Sequence, residues 1–93
     1  MSLFAIIYRY CDDSAALEAN RPAHRAFLGQ QFELGALKLA GPMTGCQPRA
    51  GLLLVEAAGL EQARRIVDQD PVYQEGLIDS REIRPWTQVY GPF

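Results

Sequence analysis

The chain of 93 residues is poor in the groups from which small-protein chemistry is usually assembled. It has one histidine and two cysteines. One imidazole, with no Cys-x-x-Cys and no His-x-x-x-His, supplies too few nitrogen and sulfur ligands, so no metal is expected. Cys11 and Cys46 are too few for a disulfide framework. There is no Gly-x-Ser-x-Gly nucleophile turn. Gly41-Pro42-Met43-Thr44-Gly45 lacks the Gly-Lys-Ser/Thr ending of a phosphate loop and precedes no helix. Positive charge is also scarce: Lys and Arg total 9 against 11 Asp and Glu, for a net charge of −2. Neither nucleic acid nor an anionic membrane is therefore expected as a partner. No apolar run approaches the roughly 18 residues of a membrane span, and no charged segment leads into one. The expectation is a cytoplasmic protein with free thiols.

What remains is the composition of an ordinary globular domain, 48% hydrophobic and 22% charged. Residues 1–93 suffice for one domain with one modest core. Leu3 to Cys11 reads as a first strand, rich in aromatic and β-branched residues. Its successive apolar positions, Phe4 to Tyr8, call for cover on both faces. Asp12, Asp13 and Ser14 are helix-start residues. A helical pattern runs from about Ala15 to Leu34, with Leu17, His24, Phe27, Leu28, Gln31 and Leu34 on one face. Pro22 predicts a kink or a fresh start within it, and Gly35 supplies the stop.

Ala36 to Ala40 reads as strand two and Met43 to Arg49 as a loop. Gly51 to Glu56 is strand three. A second helix follows from Leu60 to about Gln69, with Leu60, Ala63, Ile66 and Val67 inward. Leu77 to Tyr90 is strand four, where Pro85 predicts an edge or a bulge. The order β-α-β-β-α-β is the split βαβ plan: an α+β fold with a four-stranded antiparallel sheet. Two helices cover only one face of such a sheet. A second copy of the same sheet is the natural cover for the other, so a homodimer through the open face is expected.

Candidate chemistry gathers around the single histidine. Arg21 stands one helical turn before His24, about 5–6 Å away between Cβ atoms. Pro71 biases Asp70 toward extended angles. Asp70 is then expected at a helix C-terminus, where the macrodipole disfavours a carboxylate unless a donor or cation faces it. His24 is the obvious partner. Such a pair fixes the imidazole tautomer, and the free nitrogen exchanges a proton with a ligand. Arg21 is suited to hold an anionic oxygen of that ligand. Tyr8 and Tyr10, on strand one, are expected to point toward the same cleft. Trp86 and Tyr90 suit a core or dimer interface better than a ligand platform.

Taken in order, Arg21-Pro-Ala-His24, Gly35-Ala-Leu, Ala40-Gly41-Pro42, Glu61-Gln-Ala63 and Asp68-Gln-Asp70-Pro71 with Gly76 resemble the YciI-like (YCII-related domain) proteins. The resemblance extends from strand one to Arg84-Pro85-Trp86. It implies a ferredoxin-like fold that pairs into a dimeric α+β barrel. It also implies an active site centred on a histidine and an aspartate, matching His24 and Asp70, with Arg21 matching the basic residue three places before the histidine. The aromatic Tyr73, two places after Pro71, is expected in the pocket wall. The family is linked to elimination chemistry on halogenated hydroxylated rings, and the wider superfamily to isomerases and cofactor-free oxygenases.

Two functions follow as expectations. One is a small lyase or isomerase without a cofactor, acting on an anionic or aromatic metabolite. The other is a non-catalytic module that binds such a molecule, or a partner protein, in the same cleft. A haem-binding barrel with His24 as axial ligand fits poorly, because an aspartate already claims the imidazole.

Overall fold

Nine residues of alternating burial, Ser2–Tyr10, form strand β1. Phe4, Ile6 and Tyr8 point to one face and are buried there. The computed structural model describes all of residues 1–93. Helix α1 spans Ser14–Glu33, β2 Leu37–Met43 and β3 Ala50–Ala57. Helix α2 spans Leu60–Asp68, α3 Pro71–Gln74 and β4 Ile78–Trp86. The strands pair in the order β2-β3-β1-β4, all antiparallel. This is the ferredoxin-like βαββαβ arrangement, with both long helices on one face.

Helix α1 starts where expected. Asp13 caps it by accepting from the Ala16 N–H at 3.1 Å. Its end is a left-handed glycine turn: Gly35 has φ +82°, and the Ala36 N–H reaches back to the Gln31 carbonyl at 3.0 Å. The helix does not restart at Pro22, which lies inside it. Proline has no N–H for the carbonyl of Glu18, but both residues are exposed, so the unmade bond falls on the solvent side. Packing of Leu17 and Leu28 against the core, with Phe27 buried, keeps the helix continuous. Leu34 and Leu60, expected inward, are exposed.

Other boundaries move as well. Strand β2 continues through Gly41-Pro42 to Met43, since an edge strand tolerates a missing N–H on its outer side. Strand β4 stops at Trp86, so Tyr90 is fully in solvent rather than in a strand. Pro85 sits in that second edge strand, opposite Phe4. The turn expected after α2 is a separate short helix, α3.

The core lies between helices and sheet. Ile6, Tyr8, Leu37, Leu53, Val55, Val67 and Val72 form one cluster, and Phe4, Ala57 and Ala63 a smaller one. The other face of the sheet carries Leu3, Ala5 and Ile7 of β1 beside Leu52 and Leu54 of β3. Leu39 of β2 pairs with Leu54 and stays exposed, as does Trp86 opposite Leu3. The helices pack against the opposite face, that of Phe4, Ile6 and Tyr8. No helix is long and apolar enough to cross a membrane. Cys11 and Cys46 are free.

Candidate functional site

The site begins with one dihedral angle. Asp70 follows the last turn of α2, and Pro71 holds it extended at φ −66°, ψ 123°. The same proline is the first residue of α3. Asp70 is therefore the N-cap of the next helix, not a charge stranded at the end of the previous one. The expectation of an unfavourable helix end is corrected: the carboxylate accepts from the Val72 N–H at 3.2 Å and faces the positive end of α3.

That carboxylate has no exposed surface. Two further donors reach it. Tyr8 donates its hydroxyl to Oδ2 at 3.0 Å. His24, on α1, approaches Oδ1 with Nδ1 at 2.8 Å. A carboxylate is the acceptor in such a pair, so Nδ1 carries the hydrogen in the neutral imidazole and Nε2 holds the free lone pair. Nε2 makes no hydrogen bond to the protein. The histidine side chain is 17% exposed, where the carboxylate is 0% exposed. The ring is thus the only part of the pair that outside molecules can reach.

Beside the ring lies a cavity of about 870 Å³ between α1 and the sheet. Leu17, Asn20, Arg21, His24 and Leu28 of α1 form one wall. Tyr10, Arg49, Gly51 and Leu53 form the sheet wall, and Val72 of α3 closes part of the floor. No group of three or more His, Cys, Asp or Glu side chains comes together to hold a metal ion.

The predicted residues divide between cavity and support. His24 and Asp70 meet, and Arg21 lines the same cavity, where it pairs with Glu18 at 2.9 Å. Tyr8 does not reach the cavity. It is fully buried beneath Asp70, because its position on β1 faces the core. Burial first, and then the neighbouring carboxylate, push its phenol far above the ordinary range, so it remains a donor. Tyr73 also lies outside the cavity. Its ring stacks under the guanidinium of Arg81, 3.9 Å from the ring centre. Arg81 in turn pairs with Asp68 at 2.7 Å and is 11% exposed.

Three contributors were invisible in the linear chain. Arg81, on β4, faces the core opposite Tyr8. Asn20 lines the cavity, with its Oδ1 buried and unpaired. Arg49 seemed a loop residue and stands at the cavity mouth. A period-two count along β4 from Ile83 would have placed Arg81 on the buried face. Nothing in sequence marked Asn20 or Arg49.

Comparison with known proteins adds the family and the fold. The YCII-related domain matches residues 2–87. No protein of curated function matches the chain in sequence. Among solved structures, the chain is similar to 5-chloro-2-hydroxyhydroquinone dehydrochlorinase (TftG) from Burkholderia phenoliruptrix AC1100, in complex with 2,5-dihydroxybenzoquinone. The TM-score is 0.79 at 22% identity, covering 91% of this chain and 93% of that one. It is also similar to SnoaB, a cofactor-independent oxygenase from Streptomyces nogalater, with TM-score 0.56, 12% identity, and 96% and 93% coverage. A NIPSNAP family protein from Agrobacterium tumefaciens gives TM-score 0.55 at 19% identity, covering 97% and 95%. At these identities the likeness is one of fold.

Proposed function

The chain belongs to the YCII-related domain family, and from that premise we propose that it is a cofactor-independent acid–base enzyme of lyase or isomerase type. Its substrate is a small aromatic or anionic metabolite. The observation that carries the reading is the 2.8 Å contact between His24 Nδ1 and the buried Asp70 Oδ1, with the other face of the imidazole on a cavity. Asp70 holds the ring in one tautomer. Nε2 then takes a proton from a ligand carbon or hydroxyl and returns it to another atom. The cavity supports a ring-sized ligand, for which such volumes are typical.

Two features support the substrate class. Arg21 sits on the cavity wall and can exchange Glu18 for a ligand anion. A protein of the same fold is a dehydrochlorinase of a hydroxylated ring, and proton transfer at such a ring lies within the capacity of one imidazole. The working form in this reading is a homodimer in which a second copy covers the apolar sheet face. The exposed row of Leu39, Met43 and Trp86 around Leu3 and Ile7 supports that arrangement.

The test is turnover of small hydroxylated ring acids and their halogenated forms by purified protein. The wild type converts one of them, whereas His24→Ala and Asp70→Asn remain folded and do not. Retained turnover in both variants overturns the assignment. A non-catalytic binding module that uses the same cavity is the second reading. A compound that raises the melting temperature and is never converted selects it.

A further inference from the structure

We infer that Tyr10 and Arg49 form an anion subsite on the sheet wall of the cavity, which receives a carboxylate or enolate oxygen of the same ligand that His24 contacts. The inference rests on the cavity being the ligand site proposed above. It names a second point of attachment and narrows the ligand to one that carries an anionic oxygen.

Four observations converge. The Tyr10 ring lines the cavity, and its hydroxyl makes no hydrogen bond to the protein. Burial, and next the Asp70 charge, push that phenol up to about 12, so it stays a donor throughout the neutral range. Second, the wall leaves room for the hydroxyl. A Cβ at Gly51 would stand 2.9 Å from the Tyr10 oxygen, and glycine supplies none. Third, Arg49 is tied to Tyr10, whose N–H donates to the Arg49 carbonyl at 2.9 Å. Both residues also border a smaller hollow of about 450 Å³ under residues 43–50.

Fourth, charge is distributed unevenly. Six of the nine basic side chains pair with acids: Arg9, Arg21, Lys38, Arg64, Arg81 and Arg84. Of the three left over, Arg25 and Arg49 line the cavity and only Arg65 lies elsewhere. Glu18 is the one acid on the cavity wall, and Arg21 already engages it. An acidic protein thus turns a cationic wall toward its cavity. A planar guanidinium beside a phenol donor is the pairing that holds a carboxylate or enolate oxygen.

The test uses 4-hydroxybenzoate and its neutral amide, 4-hydroxybenzamide, as probes in calorimetric titration. Wild-type protein binds the carboxylate at least about tenfold more tightly than the amide. Tyr10→Phe and Arg49→Gln each remove most of that preference, while Arg65→Gln leaves it unchanged. Gly51→Ala, which crowds the hydroxyl without removing it, weakens the carboxylate in the same direction. Melting curves establish that each variant is folded. His24→Ala keeps the preference, which separates this subsite from the proton-transfer reading: loss of turnover with intact probe binding leaves the subsite standing. Equal affinity for both probes in the wild type overturns it. So does a preference that survives Tyr10→Phe and Arg49→Gln, or no binding of either probe.

Discussion

On the face that the helices cover, β1 presents Phe4, Ile6 and Tyr8, and the last of these ends in a buried hydrogen bond to Asp70. On its other face the same strand presents Leu3, Ala5 and Ile7, half-buried between β3 and β4. The covered face contains charged groups aimed at partners: Asp70 at His24, Tyr8 and Val72, and Arg81 at Asp68 and Tyr73. The open face is apolar along β1 and β3, at Leu3, Ala5, Ile7, Leu52 and Leu54, with ion pairs of Glu82 to Arg9 and Arg84 toward the β4 edge. Polar groups withdrawn from water need partners of fixed geometry, so they make a face specific. Apolar groups need only to leave water, so they make a face adhesive. On the function proposed above, one face positions chemistry and the other meets a second copy of the chain.

The largest effect expected on the covered face is chemical. His24→Ala and Asp70→Asn should each lower kcat by about 10²- to 10⁴-fold, read by turnover at saturating substrate. The open face should answer differently. Ile7→Glu places an unpaired charge where the second sheet would lie and should weaken self-association by about 10²-fold or more. Light scattering across a dilution series measures it, with His24 chemistry altered only through dimer loss. A wild-type monomer at every concentration would break the contrast between the faces.

Tyr8→Phe sharpens the comparison from inside the core. It removes one donor and leaves Asp70 Oδ2 buried without a partner, which should cost about 1–3 kcal/mol in urea unfolding. Ile7→Val, on the open face of the same strand, should cost about 0.5–1.5 kcal/mol at most. Alkaline titration gives a smaller signal. The Tyr10 phenol is raised from 10.0 to about 12 in the fold. Between those values the unfolded chain holds fewer protons than the native one. This part of the stability is therefore complete below pH 10 and declines as pH rises toward 12. Tyr10→Phe should flatten that decline in thermal melts. The smallest change expected is at Arg64, whose exposed pair with Glu61 should contribute at most about 0.5 kcal/mol on Arg64→Ala.

Much of this was legible in the linear chain, and the reasons it stopped being so are physical. The aromatic and β-branched run of β1 and the spacing near 3.6 in α1, with the turn residues between elements, sufficed for element order and hence topology. The proline after Asp70 was enough to foresee an extended residue. It was not enough to foresee that the same proline opens α3, since a four-residue helix has no apolar period to detect. The sign of the local dipole field was therefore misread until the cap was visible. Tyr8 and Tyr10 are equivalent by alternation, and both point off the same face. What separates them is depth: Tyr8 lies beneath the Asp70 carboxylate, and Tyr10 beside a glycine at the strand end. Depth depends on how α1 and α3 meet over the strand, which no one-dimensional pattern encodes. Tyr73 was placed by proximity in number to Asp70, yet one further residue of helix turned it toward Arg81.

The Asp70 carboxylate fastens the start of α3 as well as the histidine. If the proposed function holds, an aspartate at this position answers to two selective pressures, one on architecture and one on reactivity. Descendants that abandoned the reaction would still be held to a carboxylate there by the helix and the tyrosine beneath it. Its presence in a homologue is then poor testimony to activity. On the proposed function, the histidine is the position whose loss would record that the chemistry was given up.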